Sequence, residues 1–244
     1  MKRGRGALSL LLLVGPLVSV AASGRSEQPA HGLVNNIIQQ TMPAADFTLT
    51  DQHTQPFHLA DARGKVVLMC FIYTHCTDIC PFISVKVRDA YRQLGPDASN
   101  VVFVAVTTDP KRDVPEVTSA YSKALDLDDV WHFVGGEPKD VQAVWKNYAI
   151  GVTVDEDTGS VATPMKGMSM SMKDMPLPSQ GLSNGDQDLA SQIADKFGGG
   201  YNVGHSAPFW IIDKKGVIQA GMDADATPAD LVTNIRTLLK ANQV

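Results

Sequence analysis

Cys76 and Cys80 are the residues of this chain whose type and spacing point most directly to chemistry. They lie in Thr74-His75-Cys76-Thr77-Asp78-Ile79-Cys80-Pro81, after an apolar run over residues 66–73 and before a helical pattern. A strand therefore delivers a dithiol to the mouth of a helix. Unpaired N–H groups and the positive end of the helix dipole favour a thiolate there. Two residues between cysteines suit dithiol exchange. Three still permit a disulfide, and the wider loop also lets both sulfurs hold one soft ion. A merely stabilising disulfide is the plainer alternative, but a loop this short constrains little chain and adds modest stability. Cys70 sits inside the apolar run and reads as a small buried hydrophobe.

A second group of soft atoms lies further on. Five of the nine methionines are Met165, Met168, Met170, Met172 and Met175. Thioethers bind Cu(I) without first losing a proton, and spacings of two and three suit wrapping an ion in an extended loop. Their neighbours are Gly, Ser, Lys and Asp, which argues against ordinary core packing. Hydrophobic contact with a partner protein is the rival reading.

The elements that must position these groups follow from periodicity. Residues 45–51 alternate as a short strand, and residues 59–65 turn into the nearly continuous apolar strand 66–73, which suits burial on both faces. Ile83, Val87, Tyr91 and Leu94 recur with helical spacing. Residues 101–106 form a second buried strand, ending at Thr107-Thr108-Asp109-Pro110. Asp109 thus reaches the same sheet edge as Cys76 if the strands are parallel, where it either orients a donor or caps its loop. Asp113-Val114-Pro115-Glu116 reads as a helix N-cap, and a short strand at 131–134 precedes another helix. Residues 208–213 and 217–220 form a hairpin, and Thr227-Pro228-Ala229-Asp230 caps a last helix. Strands alternating with helices, with one late hairpin, give an α/β domain with helices on both faces of a mixed central sheet.

The chain has 244 residues, enough for one sizeable core, and a net charge of −5. No basic patch interleaves with aromatics, so nucleic acid is not an expected partner. Lys2, Arg3 and Arg5 precede an apolar run over residues 7–22 with small residues near its end. Residues 1–22 read as a signal peptide or an N-terminal membrane anchor. Residues 23–42 read as a tether, and 43–244 as the domain, with an insertion at about 151–185. The expected location is extracytoplasmic: the periplasm, either soluble or held to the inner membrane by the N-terminus.

Three ordered motifs resemble the Sco/SenC copper proteins. They are Gly64-Lys65-Val66-Val67 with residues 74–81, then Thr108-Asp109-Pro110-Lys111-Arg112-Asp113-Val114-Pro115-Glu116, then Gly204-His205-Ser206 ahead of Ile211-Ile212-Asp213. The likeness spans roughly residues 43–240 apart from the insertion. It implies a thioredoxin-like fold and copper, as Cu(I) or Cu(II), bound by Cys76, Cys80 and His205. It implies a role in assembling the dinuclear copper site of cytochrome c oxidase, by delivering copper or by reducing the acceptor's cysteines. The acceptor is then the oxidase copper subunit or another copper-accepting protein.

Two thiolates and one imidazole suit trigonal Cu(I), or Cu(II) with an added ligand, and zinc also accepts such a set. The alternative function is a thiol–disulfide oxidoreductase, with Cys76 attacking and Cys80 resolving. A peroxidase would need an arginine beside Thr74, and the sequence places none there. His75 reads as structural and Asp78 as bonded to its own loop. Pro208 lies where many thioredoxin-like enzymes place a cis-proline. A cis Ala207–Pro208 bond would let the groove take an extended cysteine-containing peptide.

Overall fold

The computed structural model describes residues 28–155 and 179–241. In chain order the elements are β1 (Met42–Pro43), β2 (Thr48–Thr50), β3 (Pro56–His58), β4 (Val66–Ile72), α1 (Ile79–Leu94), β5 (Val101–Thr107), α2 (Pro115–Ala124), β6 (Trp131–Val134), α3 (Pro138–Asn147), β7 (Val152–Asp155), α4 (Asn184–Phe197), β8 (Asn202–His205), β9 (Phe209–Ile212), β10 (Val217–Met222) and α5 (Pro228–Ala241). The main sheet has the order β1-β10-β9-β4-β5-β6. β4, β5 and β6 run parallel, while β9 pairs antiparallel with β4 and β10. The mixed sheet with helices on both faces is the architecture expected from the sequence.

β4 is central, and all seven of its residues are buried. Val66, Leu68, Cys70 and Ile72 face one hydrophobic cluster with residues of α1, α2, α4 and α5. Val67, Met69 and Phe71 face a second, under α3 and the β2–β3 hairpin. The two-residue side-chain period divides one apolar run between two cores, which is why the sequence shows no alternation there. The parallel β4–β5 register brings Ile72 opposite Thr107, so the loops after both strands open on one edge of the sheet.

β7 and β8 stand apart as a two-stranded antiparallel ribbon, with Val152 opposite His205. The beginning of the expected insertion is thus an ordered strand, and α4 begins before its expected end. α4 is fastened to α1 by a partly buried Arg88–Asp186 pair at 2.5 Å.

Two expectations are corrected, and one conditional reading is decided. The stretch read as a tether is, over residues 30–38, pinned to the domain. Asn234 bonds both the N–H and the carbonyl of Val34, and Ile37 N–H donates to Gly221 O at 2.8 Å. Polar side chains made this stretch look solvated, but Asn36 serves backbone groups of β10, and the Asn234 side chain of α5 serves the backbone of Val34. Asp113 does not cap α2. The N-cap position is Val114, with no side-chain bond. The Ala207–Pro208 bond is trans, since no cis peptide occurs among the described residues. The segment 1–22 and the methionines Met165, Met168, Met170, Met172 and Met175 lie outside the described residues.

Candidate metal centre

β4 ends at Ile72, and the chain turns through Thr74–Asp78 into α1. Asp78 occupies the N-cap position but its side chain makes no capping bond. The Cys76 sulfur takes that place, accepting N–H groups from Cys80 and Asp78. Pro81 then costs nothing in the first turn, where a backbone donor has no intrahelical partner. The loop is tied down from behind by Asp113. Its Oδ1 accepts the Thr74 N–H at 3.1 Å and the Thr74 hydroxyl at 2.6 Å, and its Oδ2 accepts the Thr107 hydroxyl at 2.6 Å. Burial pushes the Asp113 carboxyl up to about 7 against these bonds. The residue read as a helix cap thus joins the ends of β4 and β5.

Cys76 and Cys80 are free thiols, and almost nothing of either is exposed. Their environments differ. A hydrogen bond from the Cys80 thiol, helped by the two backbone N–H groups, brings Cys76 down to about 7 despite its burial. Cys80 is pushed well up, first by burial and then by the neighbouring Cys76. The pair therefore holds one thiolate and one thiol near neutral pH.

His205 completes the group. Its Nε2 lies 3.4 Å from Cys80 Sγ, and its Nδ1 lies 3.1 Å from the Ser206 carbonyl. A carbonyl only accepts, so Nδ1 carries the proton and the Nε2 lone pair faces Cys80. Burial lowers the His205 pKa, which keeps the ring neutral. β8 places this side chain. Val203, two residues earlier on the same strand face, is buried in the core, so His205 also points inward.

Tyr73 is a member of the site that sequence reading passed over, because it ends an apolar run like any core aromatic. Its hydroxyl accepts the Val203 N–H at 3.3 Å and is hydrogen-bonded to Cys76. Its ring meets His205 edge-on with centroids 5.7 Å apart. Burial, then the nearby thiolate, raise its pKa and keep it a donor.

Asp109 reaches this edge, as expected, but it touches neither sulfur. It pairs with Arg112 and accepts the Tyr201 hydroxyl at 2.8 Å. Arg112 also bonds the Gly199 and Tyr201 carbonyls. His75 is half-buried, with Nδ1 2.8 Å from the Thr74 hydroxyl.

The two thiols are neighbours and the unprotonated His205 Nε2 lies against Cys80, its tautomer fixed from behind, but the three donor atoms are not all within 4.8 Å of one another. That donor set fits a soft or borderline ion, and suits neither magnesium nor calcium. A cluster of His53, Asp128 and Asp129 is compact enough for an ion, but His53 Nε2 already bonds the Asp128 carbonyl at 3.0 Å and Lys123 pairs with Asp128.

The fold and site together define a thioredoxin-like domain carrying a Cys-Cys-His set at one sheet edge. The chain belongs to the SCO1/SenC family, whose model matches residues 36–172. It is 33% identical over 116 residues to an SCO2-like protein of Rickettsia typhi, covering 48% of this chain and 57% of that one. It is 44% identical over 77 residues to the mouse mitochondrial SCO2 homolog, covering 31% of this chain and 30% of that one. The matched stretch thus spans little more than half of the Rickettsia relative. Among solved structures it resembles Bradyrhizobium japonicum ScoI with copper bound, with TM-score 0.58, 21% identity, and 81% and 99% of the two chains covered. It also resembles yeast Sco1 with copper bound, with TM-score 0.56, 20% identity, and 82% and 89% covered.

Proposed function

We propose that this protein is an extracytoplasmic copper metallochaperone. Copper is its cargo, taken up by Cys76, Cys80 and His205. One observation carries this reading: the His205 Nε2 lone pair faces Cys80 Sγ at 3.4 Å while Nδ1 is spent on the Ser206 carbonyl. A dithiol enzyme has no need of a third, neutral nitrogen donor held against its buried sulfur. Family membership and the copper-bound relatives support the same reading.

Loading requires both sulfurs as thiolates. Cys76 is close to that state, and Cys80 gives up its proton as Cu(I) binds. Neutral His205 completes a three-coordinate set. Cu(I) then passes to an acceptor by ligand exchange, with no electron moved. The incoming donors displace the imidazole before the softer thiolates. A relative described as a member of the Sco family of cytochrome c oxidase assembly proteins supports the oxidase copper subunit as acceptor. The charged and apolar residues 1–22 support export, with the domain in the periplasm, free or anchored. The methionines at 165–175 would collect Cu(I) as soft thioether donors.

A second reading rests on the unequal thiols. A Cys76 thiolate near pH 7 can attack an acceptor disulfide, releasing one acceptor thiolate and forming a mixed disulfide. Cys80 then attacks Cys76, freeing the second acceptor thiolate and leaving Cys76–Cys80 oxidised, a two-electron reduction. Both roles fit one dithiol.

The test is anaerobic Cu(I) titration of the reduced full chain against a chromophoric chelator, for the parent and for His205→Ala. One tight equivalent, weakened at least about tenfold in the variant (about 1.4 kcal/mol), is expected. Equal affinity in both proteins would remove His205 from the ligand set and leave dithiol exchange as the better reading.

A further inference from the structure

The ribbon β7–β8 shares no strand pairing with the main sheet, yet it must bring His205 to within bonding distance of Cys80. On its C-terminal side β8 leads within four residues into β9 of the main sheet, so the other constraint must act on its N-terminal side. The segment leading into β8 shows what it is. Arg112 lies in the loop after β5, and its Nη1 donates to Gly199 O and its Nη2 to Tyr201 O, each at 2.9 Å. Its guanidinium lies over the Tyr201 ring, 3.6 Å from the centroid, and 5.6 Å from the centroid of Tyr73. Asp109 pairs with the Arg112 Nε and accepts the Tyr201 hydroxyl, closing a ring of contacts around one arginine. From the other side, the Gly199 N–H donates to the His75 carbonyl at 3.3 Å.

The triglycine turn is built for this contact. A Cβ on Gly198 would overlap Thr77, in the cysteine loop itself, and the Ala194 carbonyl. A Cβ on Gly200, at φ +79°, would lie 2.8 Å from Arg112 Nη1. Three glycines in sequence suggest a slack linker, but here they let the turn lie flat against the cysteine loop and under the guanidinium.

We infer that Arg112 is a positioning residue. With Asp109, Tyr201 and the turn 198–200, it forms a latch that holds His205 over the cysteine pair. The inference rests on the Cys-Cys-His reading above. With the latch closed, His205 stays against Cys80. With it open, the imidazole leaves and both thiolates stay, because the cysteine loop keeps its own bonds from Thr74 to Asp113. Arginine suits the position because its planar fork meets two carbonyls and stacks on a ring at once. Lysine offers a single point charge and cannot do all three.

The experiment is a double-mutant cycle on the reduced full chain, read by Cu(I) competition with a chelator. Arg112→Ala is expected to weaken copper by nearly the same factor as His205→Ala. In the His205→Ala background it is expected to add less than about threefold, because the two act through one interaction. Arg112→Lys is expected to stay weak. Loaded with Cu(II), Arg112→Ala is expected to lose the nitrogen splitting in its electron paramagnetic resonance spectrum, as His205→Ala does. If Arg112→Ala does not fold, Gly200→Ala is used instead, with a smaller loss in the same direction. An Arg112 effect that is absent, or equally large with and without His205, would overturn the latch. An unaltered affinity in His205→Ala alone would instead overturn the ligand reading beneath it.

Discussion

The two halves of the candidate metal centre are held in place by different kinds of structure. The cysteine half sits at the end of β4, between strands on both sides and between two hydrophobic clusters. Backbone pairing fixes it, and a buried carboxylate ties its loop to the next strand. The histidine half sits on a two-stranded ribbon outside that sheet, and side chains from distant loops hold it in place. One half is fixed by secondary structure and the other by a removable set of contacts. The proposed copper carrier must bind firmly and then release, and this division would give each demand its own region.

The largest expected effect lies in the fixed half. Cys80→Ser replaces a soft donor with a hard hydroxyl, and should weaken Cu(I) at least about 100-fold in chelator competition. Cys76→Ser should lose copper similarly yet keep most of its apo stability, since serine also caps a helix. Undiminished copper binding in either serine variant would contradict the two-thiolate site.

Asp113→Asn probes the tie between β4 and β5. The buried carboxyl sits at about 7, above the ordinary unfolded value of about 3.9. Its protonated form is thus the one the fold prefers. It contributes most stability below about pH 4, and that contribution is lost as pH rises through about 7. Relative to the asparagine variant, the parent should lose on the order of a few kcal/mol between pH 4 and 7. Denaturant unfolding at several pH values measures this, and parallel pH profiles would count against a buried, proton-binding Asp113.

A smaller effect separates the two thiols. In the apo protein, alkylation of Cys76 should rise with a midpoint near pH 7, while Cys80 should need a much more alkaline medium. Mass spectrometry of the modified peptides distinguishes them. Equal rates would mean that the helix terminus and the Cys80 thiol do not bias the pair.

The smallest effect is expected where the halves meet. Tyr73→Phe removes the hydroxyl that accepts from Val203 and bonds Cys76. It should cost about 1 kcal/mol of stability and move the Cys76 midpoint upward. A midpoint that did not move would show that the hydroxyl does not bear on the thiolate.

The same division decides what could be read from the sequence. β4, β5, α1 and the β9–β10 hairpin carry periodic or continuous apolar patterns, so they were legible. The cysteines were legible from spacing, and His205 from a motif in order with two others. The latch was not. Arg112 meets its carbonyl partners 87 and 89 residues away, and no local pattern encodes such a pairing. Asp113 was misread because an aspartate two residues before a proline has a good local explanation, and the tertiary partners Thr74 and Thr107 took precedence. The strap at residues 30–38 was misread because its polar composition looks like a linker, while Asn36 and Asn234 spend their amides on backbone groups.

Cys70 gives the molecule an internal clock. It lies at the centre of β4, 1% exposed, and burial alone pushes its thiol up to about 12. No reagent reaches it while β4 is paired on both sides. Once the two outer thiols are blocked, the appearance of a third modified cysteine times the opening of the central strand, without any added label. Following that signal with and without copper would show whether cargo at the sheet edge slows the opening of the strand beneath it.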